Sequence, residues 1–116
     1  MLSERHKMKV TLDIPDAQVA TLVKSILENL PECCYSLSCV KYDYEDHVYH
    51  FIDEEENNKK YVMRLPAAID AYAVLVHDWL QQGTYTLDQL LDDGYWDAPM
   101  IDALVQQATL GEVLYG

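Results

Sequence analysis

The chain reads as one α+β domain spanning residues 1–116, an antiparallel sheet packed by helices in the order β-α-β-β-β-α-α-α. Three observations predict it. Residues 7–14 alternate apolar and polar side chains, the mark of a half-buried strand. Residues 35–65 are rich in β-formers and are broken twice by polar turns. Three segments with apolar residues at helical spacing follow, each bracketed by cap or stop residues.

In the first strand Met8, Val10, Leu12 and Ile14 face inward. Asp13 is placed to cap the next helix, with Pro15 in its first turn and Asp16 favouring the positive helix end. Val19, Leu22, Val23, Ile26, Leu27 and Leu30 form its apolar face, and Pro31 ends it. A meander of residues 35–43, 47–53 and 59–65 comes next. A two-residue turn at Glu45–Asp46 sets Tyr42 opposite Tyr49 and Val40 opposite Phe51. A second at Asn57–Asn58 sets Glu56 against Lys59, Glu55 against Lys60 and Ile52 against Met63. Both sheet faces then carry apolar groups. Either helices cover one face, leaving Tyr42, Tyr44, Tyr49 and Phe51 as an exposed aromatic patch, or they cover both.

Residues 61–83 are expected to be the centre of the fold, a strand running into a helix with Pro66 in its first turn and Gly83 past its last. Apart from a stripe of Asp70, His77 and Gln81, with Asp78 beside it, that helix is apolar over most of its circumference. Thr86 and Gln89 fit a capping box opening a helix over 87–93, stopped by Gly94. Asp97 caps the last helix, with Ile101, Leu104, Val105 and Ala108 on one face and Gly111 at its end. The tail keeps Val113, Leu114 and Tyr115 and is expected to dock.

Charge narrows the function. The formal net charge is −12, and from Leu65 to Gly116 there is no Lys or Arg. A phosphate backbone is bound by cations that release its counterions, so direct nucleic-acid binding is disfavoured and a basic protein partner is the complement. The candidate acidic surface comprises Asp43, Glu45, Asp46, Asp53, Glu54, Glu55 and Glu56 at the strand ends, with Asp88, Asp92, Asp93 and Asp97 around the short helix. No apolar run approaches the roughly 20 residues that span a bilayer, and the odd, clustered cysteines 33, 34 and 39 suit a reducing compartment, so a cytoplasmic protein is expected.

Catalytic and metal patterns are weak. Cys33, Cys34, Cys39, His47 and His50 lack the paired knuckles of a zinc site, and no metal or cofactor is expected. Asp70 and His77 lie two turns apart, about 10 Å along the axis and beyond a direct hydrogen bond. The four glycines, at 83, 94, 111 and 116, make no phosphate-cradling loop. A non-enzymatic role follows as the expectation.

From residue 16 to 82 the order helix, three strands, helix is similar to double-stranded RNA-binding domains. Those domains carry a basic cluster at the start of the second helix; here residues 66–71 hold Asp70 and no cation. The second resemblance lies in the C-terminal half: the hairpin and helix entry over 51–65, Gly94-Tyr95-Trp96-Asp97, residues 101–103, and the ending with Ala108, Gly111, Glu112, Val113, Tyr115 and Gly116. It resembles small acidic proteins of phages, prophages and plasmids, in which an acidic D-A pair leads a helix into a tail of the form A-x-x-G-E-[IV]-x-[YF]-G. The resemblance implies a mobile-element origin and a stoichiometric inhibitor of host nucleic-acid-binding defence, anti-restriction or anti-CRISPR in kind, acting in the host cytoplasm. The competing expectation is a homodimeric or accessory subunit associating through the aromatic sheet face.

Overall fold

The computed structural model describes residues 14–30 and 36–115. The expected strand over 7–14, apart from Ile14, the Asp13 cap and Cys33 and Cys34 lie outside them. The described order is α-β-β-β-α-α-α: α1 (Asp16–Leu27), β1 (Ser38–Asp43), β2 (Val48–Asp53), β3 (Lys59–Arg64), α2 (Leu65–Gln82), α3 (Leu87–Leu90) and α4 (Ala98–Leu110). Single 3₁₀ turns occupy Glu54–Glu56 and Asp93–Tyr95. The strands form one antiparallel sheet in chain order, and the core lies between one sheet face and the helices.

Several boundaries move from their expected places. Pro15 is the N-cap residue of α1 instead of a first-turn residue, its carbonyl accepting from the Gln18 and Val19 amides. The helix stops at Leu27, before Pro31, yet Leu30 remains fully buried. The α3 capping box forms in both directions between Thr86 and Gln89, but the helix ends at Leu90. Gly94 is not its stop; it sits inside the 3₁₀ turn that Asp92 caps. Gly83 and Gly111 do end α2 and α4, at φ +72 and +82, a region that costs glycine least.

The meander keeps its order but changes register. Tyr42 pairs with Tyr49 as expected, whereas Phe51 pairs with Cys39, because Val40 is an extra bulged residue between Cys39 and Lys41. The second turn is wider than two residues: Glu54–Glu56 coil into the 3₁₀ turn and Asn57 and Asn58 are both left-handed. Asp53, not Glu56, therefore faces Lys59, and Met63 faces Tyr49, not Ile52. The expected Glu–Lys pairs are lost because a carboxylate at Asp53 can accept the Glu55 amide and close a longer loop.

The most enclosed helix is α4, not α2. Met100 through Gln106 are buried at every position, including Asp102 and Gln106. In α2 only Ala68, Ala71, Tyr72, Leu75 and Val76 are buried, and Val74 remains 42% exposed. Read by polarity alone, Asp102 and Gln106 at i and i+4 resemble a solvated stripe. They are inside because both find hydrogen-bond partners there.

Candidate interaction surfaces

The acidic residues fall into three groups. Asp43, Glu45 and Asp46 occupy the β1–β2 turn, where Asp43 Oδ1 accepts from the Glu45 and Asp46 amides at 2.9 and 3.3 Å. Glu54, Glu55 and Glu56 lie at the opposite end of β2, whose six residues set the two groups about 17–20 Å apart. Asp53 does not belong to the surface. It is 1% exposed, accepting from the Glu55 amide at 3.0 Å and the Tyr115 hydroxyl at 2.9 Å. The strand-end carboxylates are thus split by the sheet rather than gathered in one run.

Asp88, Asp92, Asp93 and Asp97 form the third group, all exposed and within ten residues of one another in the excursion between α2 and α4. Two have local work: Asp92 Oδ1 accepts from the Gly94 amide at 2.9 Å, and Asp97 Oδ1 from the Met100 amide at 3.0 Å as the α4 cap. A chain of aromatic rings spans the same excursion and meets Asp97 at Tyr85. Tyr72, Trp96, Trp79, Tyr85 and Tyr95 follow one another with centroids 5.0–6.0 Å apart. Its inner end is fixed by the Leu90 carbonyl, which accepts from Tyr72 Oη and Trp96 Nε1 at 2.9 and 3.0 Å. Its outer end reaches solvent, Tyr85 being half-buried and Tyr95 41% exposed. Partial burial raises the Tyr85 phenol pKa, with the negative charge of Asp97 and the Tyr95 phenol adding to it. This pairing of rings with carboxylates was missed by reading acids alone; the interleaved order of Tyr85, Asp88, Asp92, Asp93, Tyr95 and Asp97 was the available signal.

The described residues hold seventeen Asp and Glu against five Lys and Arg. Among them no Lys or Arg lies within ion-pair distance of a carboxylate; the contact between His77 Nδ1 and Asp78 Oδ1 at 3.2 Å is the sole pair of opposite type. Lys59 instead sits over the Tyr61 ring at 5.3 Å. Asp70 stands exposed and apart from that histidine contact.

The expected aromatic patch is divided by the core. Tyr49 and Phe51 are 0 and 1% exposed, because the face they share is the one the helices cover. Tyr42 and Tyr44 remain 46 and 42% exposed at its margin, their rings 4.7 Å apart and both against Tyr49. Tyr44 Oη donates to the Glu28 carbonyl at 3.2 Å, fastening the turn to α1. Burial pushes the Tyr49 phenol up to about 12, with Tyr44, Cys39 and Glu28 adding to it, and among the described residues its buried hydroxyl has no hydrogen-bond partner.

A second buried polar cluster was not visible in sequence. Asp102 accepts from the Ser36 amide at 3.2 Å and the Ser36 hydroxyl at 2.7 Å. Gln106 donates to Asp102 Oδ2 and the Tyr115 carbonyl, and its Oε1 accepts from the Leu114 and Tyr115 amides, both at 2.8 Å. The tail therefore docks, through its backbone at Gln106 and through the Tyr115 hydroxyl at Asp53, while Val113 and Leu114 stay 44 and 56% exposed. The Ser36 hydroxyl donates a hydrogen bond to the Asp102 carboxylate and accepts one from Gln106 Nε2, fastening this segment to α4.

Among the described residues no group of three or more His, Cys, Asp and Glu side chains converges as metal ligands, and no helix is long and apolar enough to cross a membrane. Comparison with known proteins finds no matching family model, curated relative or solved structure.

Proposed function

We propose that this chain is a non-enzymatic acidic interaction protein that occupies the nucleic-acid-binding surface of a basic partner. One observation carries the reading: among the described residues carboxylates outnumber Lys and Arg by seventeen to five, and no pair of the two lies within ion-pair distance. Some of these carboxylates accept backbone amides as caps, but that leaves their negative charge in place, complementary to Lys and Arg on another surface. The contact surface is Asp88, Asp92, Asp93 and Asp97 with Tyr85 and Tyr95. Carboxylates there meet cations, and ring faces take guanidinium groups by cation–π contact. The groups at the β1–β2 and β2–β3 turns extend the negative field without sharing this contact. The resemblance of the C-terminal half to mobile-element proteins favours a host nucleic-acid-binding defence protein as partner, met in the host cytoplasm.

Displacement tests this. DNA-binding proteins of an extract are loaded on immobilised duplex DNA at low salt and challenged with the protein. Wild type should release a discrete partner, which then binds the chain directly in purified form. The Asp88→Asn, Asp92→Asn, Asp93→Asn, Asp97→Asn variant keeps the amide-accepting oxygens and should release none. Equal release by the variant, or none by wild type, would refute the reading.

A second reading, self-association, is favoured by the exposure of Tyr42 and Tyr44. It no longer includes Tyr49 or Phe51, which the chain's own core has consumed. Sedimentation of wild type and Tyr42→Ser separates the two: a dimer lost in the variant supports association through this margin.

A further inference from the structure

The sheet has a second face, turned away from the core, whose charge opposes that of the rest of the molecule. Strand pairing lays three rows across it: Asp43, Val48 and Arg64; Lys41, His50 and Val62; Ser38, Ile52 and Lys60. The bulged Val40 stands beside them, 58% exposed, and Val62 is 47% exposed. Lys41, Lys60 and Arg64 are all exposed and are three of the five described Lys and Arg residues. Carboxylates stand at both ends of this face, Asp43, Glu45 and Asp46 at one and Glu54–Glu56 at the other. Asp43 is engaged by the amides of its own turn, and Glu54 accepts from the Ser38 hydroxyl at 3.4 Å. Between them lies a shallow groove of about 270 Å³ floored by Ile52 and Val62 and flanked by Lys41 and Lys60.

The layout has dimensions. Lys60 and Arg64 are four residues apart on β3, about 13 Å, and Lys41 lies two strands away, about 10 Å across the sheet. That lateral gap matches the roughly 10–12 Å diameter of a helix with its side chains. A helix laid along the groove sets its apolar stripe on Val40, Ile52 and Val62, with one flank at Lys41 and the other at Lys60 and Arg64. Lysine and arginine stems add apolar cover while their heads reach outward.

We propose that this open face docks an acidic amphipathic helix of a partner protein. Charge complementarity selects that occupant. A phosphate backbone gains nothing from the valine and isoleucine floor, and a second copy presenting the same face sets its three cations against these three. The chain then holds opposite partners on two surfaces, a basic one at Asp88–Asp97 and an acidic one here. Neither surface shares a residue with the other, so the two claims fail separately.

The probe is a synthetic amphipathic helix with a leucine stripe flanked by glutamates, titrated into the isotope-labelled full chain and followed by amide shifts. Two controls are the same peptide with lysine for glutamate, and one of equal composition with the stripe broken. The glutamate peptide should move the amides of Val40, Lys41, His50, Ile52, Lys60 and Val62. The Lys41→Glu, Lys60→Glu, Arg64→Glu variant should bind it at least about ten-fold more weakly with an unchanged melting temperature. Raising salt from low to moderate should weaken that binding little, because the long-range repulsion from the −12 chain is screened before the contact pairs are. The proposal is overturned if no peptide binds, if the lysine or broken-stripe peptide binds as well, or if the shifts map to Asp88–Asp97. A concentration-dependent dimer that buries Val40 and Val62 would overturn it too.

Discussion

Gln106→Leu tests how the C-terminal tail is held. The side chain is fully buried and its carboxamide joins its own helix, at Asp102, to two distant segments: Ser36, and the tail through the Leu114 and Tyr115 amides and the Tyr115 carbonyl. Leucine keeps nearly the same volume, so the change removes hydrogen bonds without opening a cavity. The two 2.8 Å bonds to the tail amides and the 2.9 Å bond to the carbonyl are the well-formed ones. At about 1 kcal/mol net for each, their loss costs about 3 kcal/mol. Because the released tail groups can reach water while Asp102 keeps its two Ser36 bonds, no further desolvation penalty is added. In a chain of this size that lowers the thermal midpoint by roughly 10–15 °C. Amide hydrogen exchange supplies the local readout: Leu114 and Tyr115 should exchange far faster in the variant, while the Leu75 and Leu104 amides fall only with global stability. A loss below about 1 kcal/mol with tail exchange unchanged would refute the claim that Gln106 is the tail's clasp.

Two further outcomes follow from the local chemistry. Burial pushes the Tyr49 and Tyr72 phenols up to about 12, and the Asp53 hydrogen bond does the same for Tyr115. A raised value in the folded state means stability that is intact below the ordinary tyrosine value of about 10 and is lost as pH climbs towards 12. Tyrosinate absorbance should therefore show at least three of the nine tyrosines lagging and ionising together with the loss of circular dichroism; a single ionisation near the ordinary value with the fold intact would contradict this. At the α4 cap, Asp97→Ala should cost about 1 kcal/mol in denaturant unfolding and Asp97→Asn only a few tenths, since asparagine caps as well as aspartate. Equal losses would show that charge, not the Met100 bond, is what the cap supplies.

Element order was readable because periodicity and cap chemistry are local. Pro66 and Gly83 bracket α2, Thr86 and Gln89 reach each other, and Asp97 caps α4, all within a few residues. What was not readable depends on distant partners. The register slipped at Glu54–Glu56, where Asp53 favours a 3₁₀ turn over a tight one, and at Val40, whose bulge has no sequence mark. Tyr49 and Phe51 share a face with Tyr42, but which face the helices cover is set by tertiary packing. Asp102 and Gln106 look like surface residues until Ser36 and the tail are brought to them across the fold. The candidate site divides the same way. Exposure of Asp88, Asp92, Asp93 and Asp97 agrees with their polarity, whereas the rings of Tyr85 and Tyr95 beside them emerge from the stack with Trp79.

On the proposed function, the carboxylates around Asp88–Asp97 bind cations of a partner. The most direct measurement is the dissociation constant of the purified partner complex as a function of salt, for wild type and for the four-asparagine variant. The wild-type complex should weaken steeply between low and moderate salt, and the variant should bind more weakly with a shallow slope. A wild-type affinity that does not change with salt, or one the variant retains in full, would contradict it.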